Sequence, residues 1–119
     1  MDRLKQVIWV GASKKELKTF PRAVQRDIGQ AIFTAQAGGK DPAAKPMKGF
    51  KGTTIMEIVE PCRTDTYRAV YTVKFGEFVF VLHAFQKKSK TGIKTPKAEI
   101  ALIKQRLADA KRIWQEMNQ

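Results

Sequence analysis

Arg68 stands in the stretch "YRAVYTV", where strand alternation sends Arg68, Val70, Thr72 and Lys74 to one side and Tyr67, Ala69, Tyr71 and Val73 to the other. A guanidinium in an interior strand is costly to bury without an anion. Two kinds of partner are open to it: a carboxylate, Glu57 or Glu60, or a phosphate, which a guanidinium can hold through two parallel hydrogen bonds. His83, the one histidine, lies in "FVFVLHAF" and alternates with Val79, Val81 and Phe85. Imidazole titrates near neutrality and suits proton transfer, while an apolar strand face equally suits a histidine bonded to backbone.

Lys87, Lys88, Lys90 and Lys94 crowd behind that strand, and Lys40, Lys45, Lys48 and Lys51 punctuate an earlier segment. Either run alone reads as solvated surface. If the two converge, they form an electropositive cleft that binds several phosphates with strong salt dependence. Phe50 and Phe85 lie among these lysines and offer faces on which unpaired bases stack, although Phe85 also fits ordinary core packing. The whole chain leans the same way. It carries 23 Lys and Arg against 11 Asp and Glu, a net +12, which favours a polyanionic partner such as nucleic acid.

Other classes are excluded or disfavoured. No apolar run approaches the roughly 20 residues of a membrane span, so no membrane partner is expected. Met1 to Lys5 leads into a strand-like stretch without a signal-peptide core, and a single Cys62 allows neither an internal disulfide nor a cysteine-cluster metal site. A reduced, cytoplasmic protein without a metal is expected. Walker, dinucleotide-binding and nucleophile-elbow motifs are absent.

The elements that must position these residues follow from periodicity. A length of 119 residues suits one domain, 1–119. "KQVIWV" (5–10) reads as a strand. Ser13 and Glu16 have capping-box spacing. Leu17, Phe20, Val24, Ile28, Ile32 and Ala35 then form one apolar stripe, which Pro21 divides between two helices and Gly38-Gly39 closes. Residues 40–52 read as a loop. Three strands come next, 53–59, 67–74 and 78–85, joined by short turns into an antiparallel meander, with the last apolar on both faces and hence central. Thr95-Pro96 opens a final helix with Ile100, Ile103, Leu107 and Ile113-Trp114 on its apolar side. The result is an α+β fold: an N-terminal strand, a helical hairpin on one face, a three-stranded meander completing the sheet, and a C-terminal helix. The other sheet face is expected to stay partly open.

"YRAVYTVKFGEFVFVLHAFQKKSKTGIKTPKAEIALIKQRL" resembles the RelE/ParE superfamily of bacterial toxins, in particular its phage-related, HigB-like branch. The resemblance rests on the YR-x-x-Y strand, the HAF-x-KK strand end and the TP-x-x-EI helix start, in order and at ordinary spacing; the N-terminal half agrees in element order. It implies a RelE-like fold and the toxin of a type II toxin–antitoxin pair, an mRNA interferase acting on the ribosome. Its partners would be the ribosome, mRNA and an antitoxin of helix-turn-helix type encoded next to it. It implies metal-independent attack of a ribose 2′-hydroxyl on the adjacent phosphate, with no cofactor. By position, Arg68 and Lys87 or Lys88 would face the transition-state charge, with His83 where some members carry an acid–base group. Lys48 and Lys51 fall where relatives place basic residues for RNA contact or catalysis; with Lys88, Lys90, Lys94 and Phe50 of the two basic segments they are expected to contact RNA. Glu57 departs from relatives with lysines on that strand and would be either a general base or a partner of Arg68. The C-terminal tyrosine of some members is missing, since no Tyr follows Tyr71. Gyrase-inhibiting members of the superfamily and a non-catalytic nucleic-acid-binding module are the alternatives.

Overall fold

The computed structural model describes residues 3–51, 54–87 and 95–118. The element order is β1 (Gln6–Trp9), α1 (Ser13–Leu17), α2 (Arg22–Gln36), β2 (Ala44–Pro46), β3 (Ile55–Cys62), β4 (Asp65–Thr72), β5 (Phe78–Lys87) and α3 (Lys97–Met117). All five strands share one sheet in the order β1-β5-β4-β3-β2. β5 is parallel to β1 and antiparallel to β4, and the remaining pairs are antiparallel. β5 is therefore interior, as its apolar residues on both faces require.

The helical stripe covers one face. Leu17, Phe20, Val24, Ile28, Ile32 and Ala35 are buried against Ile58, Tyr67, Ala69, Tyr71, Val79 and Val81. Pro21 precedes the first residue of α2, where its fixed φ and missing N–H do no harm. The capping box does not form. Ser13 is the first residue of α1 rather than its cap, and Glu16 is drawn away to partners on β5 and α3.

The opposite face is not left open at β5. α3 lies across it, packing Ile103 and Ala110, with Ile100, Leu107, Ile113 and Trp114, onto Val10, Val70, Phe75, Phe80 and Leu82. An apolar stripe on a 21-residue helix has to be buried somewhere, and this face offers the apolar side of β5. At the far end Trp114 packs so closely on the β4–β5 turn that a Cβ at Gly76 would come within 2.8 Å of its indole nitrogen; Gly76 also has φ +60°.

β2 arises inside the segment read as a loop. Three residues are too few to show a period, and Pro46 is tolerated because the strand lies at the sheet edge. β3 and β4 also run further toward their shared turn than alternation suggests. Pro61 pairs with Thr66 and Cys62 with Asp65, and Arg63 takes φ +58° in the tight connection.

The ladder between β4 and β5 steps from Val70 opposite His83 to Tyr71 opposite Val81. This bulge inserts Leu82 and switches the facing of the strand residues beyond it. His83 thus parts from Val79 and Val81, which face α2, and shares the α3 side with Phe85.

Candidate functional site

Strand register brings Glu57, Arg68 and Lys87 into one diagonal row on the α3 side of the sheet. Arg68 lies opposite Val59 and Phe85, Glu57 opposite Val70, and Lys87 opposite Thr66. Residues two apart on adjacent strands share a face and lie within reach of long side chains. Arg68 Nη1 donates to Glu57 Oε2 at 2.7 Å, and the two side chains are only 10% and 6% exposed. Arg68 Nε is buried and has no hydrogen-bond partner among the described residues. Lys87 is also buried. Burial lowers its pKa below the ordinary 10.5, the charge of Arg68 lowers it further, and Glu57 works in the opposite direction. Among the described residues the row holds two cations and one carboxylate. Such a row can receive an anion, and a lysine with a lowered pKa releases its proton more readily than an exposed one.

A second polar cluster lies beside it. His83 Nδ1 is 3.0 Å from Glu16 Oε1 and 3.2 Å from Arg106 Nη1, and His83 Nε2 is 3.0 Å from Glu99 Oε1. A carboxylate only accepts, so Nε2 carries the hydrogen of its bond to Glu99. Arg106 spans both oxygens of Glu16 at 2.8 and 3.0 Å and also donates to Leu82 O at 3.0 Å. Ala84 N donates to Glu16 Oε1 at 3.3 Å. β1 stops at Trp9, opposite Val81, so Arg106 and Glu16 satisfy backbone groups of β5 beyond the reach of that strand. Burial pushes the Glu16 carboxyl up, but hydrogen bonds from Arg106 and His83, the latter's charge and the Ala84 amide outweigh it and hold the pKa below 4.5.

The sequence-derived candidates thus divide. Glu57, Arg68 and Lys87 come together. His83 is buried with both ring nitrogens committed to α1 and α3, not turned toward that row. Its ring stacks on Phe85, with centroids 5.0 Å apart and planes at 18°. Phe85 is itself buried in the α3-side core, and Phe50 is half-buried against the same core. Lys48 and Lys51 are exposed. Lys45 on β2 lies opposite Glu57, and β2 ends with Pro46 opposite Met56 near the start of β3, whereas Lys87 pairs with Thr66 by the β3–β4 turn. Lys88, Lys90 and Lys94 lie outside the described residues. Glu60, the other carboxylate considered for Arg68, is not its partner in the ion pair.

Sequence reasoning missed Glu16, Glu99 and Arg106. One signal was available: Arg106 falls three residues after Ile103 and four before Ala110, on the buried stripe of α3. Among the described residues no cluster of three or more His, Cys, Asp or Glu could hold a metal ion, and no helix is long and apolar enough to cross a membrane.

The family described as phage derived protein Gp49-like matches residues 15–108. Among solved structures, a mutant of the E. coli toxin RelE in the free state is similar at 16% identity and a TM-score of 0.55, over 90% of this chain and 97% of that one. The toxin–antitoxin complex RelBE2 from Mycobacterium tuberculosis aligns at 13% identity and a TM-score of 0.49, over 71% of this chain and 99% of that one. No curated protein matches the chain. The likeness to RelE establishes the α+β fold that the sequence resemblance implied.

The lowered pKa of Glu16 has a consequence for stability. A carboxyl with a depressed folded-state pKa contributes stability that is complete above its unfolded value and lost as pH falls through the folded one. Wild type should therefore lose its stability advantage over Glu16→Gln as the pH is taken below 4.5. Urea melts of both proteins across acid pH check this; a constant difference between them contradicts it.

Proposed function

The chain belongs to the phage-derived Gp49-like family, and from that premise we propose that it is a RelE-type toxin that cuts messenger RNA on the translating ribosome. The observation that carries this reading is the buried diagonal of Glu57, Arg68 and Lys87. In the proposed reaction the ribose 2′-oxygen attacks the adjacent phosphorus, a cyclic phosphate forms, and the 5′-oxygen leaves with a proton. The reaction makes three demands: charge stabilisation on the phosphorane-like transition state, a proton acceptor and a proton donor. Arg68 supplies the first, oriented in advance by Glu57. Lys87, with its lowered pKa, suits donation to the leaving oxygen. Glu57 is the carboxylate at hand for the 2′-hydroxyl proton once a phosphate draws Arg68 away from it. No step requires a metal.

The exposed Lys48 and Lys51, with Lys88, Lys90 and Lys94, would hold the RNA backbone, and the net charge of +12 would favour encounter with ribosomal RNA. The reading includes a neutralising antitoxin partner and a cytoplasmic setting, where ribosomes are found.

Arg68→Ala should slow cleavage roughly 10²–10³-fold, the usual consequence of removing a donor to a transition-state oxyanion. That variant strands the buried Glu57 carboxylate, so Arg68→Lys, which retains the cation, is measured beside it and should also be slow while remaining folded. Wild-type rates in both overturn the assignment, and growth arrest with intact transcripts on expression of the unaltered protein overturns the RNA-cutting reading itself.

As a proton donor, Lys87 must be protonated, so the rate should fall as pH rises through a value below 10.5. A pH–rate profile of wild type should show this basic limb and one of Lys87→Arg should not. The same limb in both proteins contradicts the role.

A further inference from the structure

We propose that Glu16, Glu99 and Arg106 are positioning residues for the Glu57–Arg68–Lys87 site, acting through the His83 ring and Phe85 on the Arg68 guanidinium; as a statement about catalysis, this rests on the RNA-cleavage reading above.

The path runs from the cluster to Arg68 through His83 and Phe85. Glu16 on α1, itself gripped by both terminal nitrogens of Arg106 on α3, fixes the Nδ1 edge of His83, and Glu99 in the first turn of α3 fixes its Nε2 edge. With both edges held, the imidazole can neither flip nor slide. It forms a rigid plate against which the ring of Phe85 lies nearly parallel. Phe85 is the cross-strand partner of Arg68 on the same face, so the two side chains leave the sheet as neighbours. Arg68 has one nitrogen tied to Glu57 at 2.7 Å and a buried Nε with no partner among the described residues. A guanidinium with one anchored nitrogen among the described residues depends on neighbouring side chains for its orientation, and in this proposal Phe85 is the neighbour through which the cluster acts.

The chemistry of the cluster argues for positioning over bulk stability. Buried ion networks seldom stabilise a fold more than apolar side chains of the same volume would, and Ile103 and Ala110 on either side of Arg106 already seat α3 by burial. What the charged groups add is direction, because hydrogen bonds define ring orientation where apolar contacts do not. The bulge at Leu82 serves the same arrangement by turning His83 to the Phe85 side and exposing Leu82 O and Ala84 N to Arg106 and Glu16.

The test uses the full chain with 15N-labelled arginine, Arg68 being assigned by its disappearance in Arg68→Lys. His83→Gln, Glu99→Ala and Glu99→Gln are compared, with Gln105→Ala on the exposed side of α3 as control. In His83→Gln and Glu99→Ala the Arg68 Nε–H resonance should move and exchange faster with solvent. Glu99→Gln keeps an acceptor oxygen and should restore most of the wild-type signal, and Gln105→Ala should leave it in place. In cleavage assays on translating ribosomes, the first two variants should lose roughly 10²-fold in kcat with KM little changed, the scale expected when a reacting group is misplaced. Adding Phe85→Leu should cost little more, since both changes break one path. An unmoved Arg68 signal in His83→Gln and Glu99→Ala overturns the inference whether or not the protein cuts RNA. So does a wild-type kcat in those variants when Arg68→Lys is slow. A wild-type protein that cuts nothing sinks the functional reading instead, and the same spectra still decide whether the cluster orients Arg68.

Discussion

A guanidinium buried in the face of a sheet has to be neutralised, and much of this molecule is arranged around that requirement. Arg68 on β4 meets Glu57 on β3 at 2.7 Å, with little of either exposed to water. A pair in this environment interacts far more strongly than one at the surface, yet the desolvation of both ions consumes most of that gain. The pair therefore adds little to net stability while making loss of either partner expensive. Lys87 joins the row from β5 as a second cation under the same burial, which lowers its pKa. In the proposed reaction this row would face the scissile phosphate.

The remainder of the fold holds that row in register. The α1–α2 hairpin covers one face of the sheet and α3 the β5 end of the other, so the interior strands are pinned from both sides. The bulge in β5 directs His83, Phe85 and Lys87 to the face occupied by Arg68. Glu16 and Arg106 then complete the hydrogen bonding of β5 beyond the end of β1. Polar side chains here do the work that a longer first strand would do in a more regular sheet.

Local periodicity made most of this architecture readable. The apolar stripe from Leu17 to Ala35, the two-sided apolarity of "FVFVLHAF" and the Thr95-Pro96 helix start each state one element clearly. Arg68 was identifiable because alternation placed a charge in a strand, and Glu57 came with it as one of two nearby carboxylates. What escaped had a physical reason. β2 is three residues long and exists only because β3 offers it an edge. The bulge has no composition signal, so alternation assigned His83 to the side of Val79 and Val81. Glu16 looked like a capping residue because its spacing from Ser13 allows that bond, but a buried guanidinium and an imidazole make stronger partners for a carboxylate than the amides of a five-residue helix.

In the proposed reaction, side chains alone direct a 2′-oxygen onto the neighbouring phosphorus. The chemical ends of the RNA it produces test that most directly. Transcripts recovered from cells expressing the protein should be cut within coding regions and carry 5′-hydroxyl ends facing 2′,3′-cyclic or 3′-phosphates, so the downstream fragments ligate to an adaptor only after treatment with polynucleotide kinase. Fragments with 5′-phosphates, ligating without that treatment, would show that water attacked the phosphorus and would contradict the proposed chemistry.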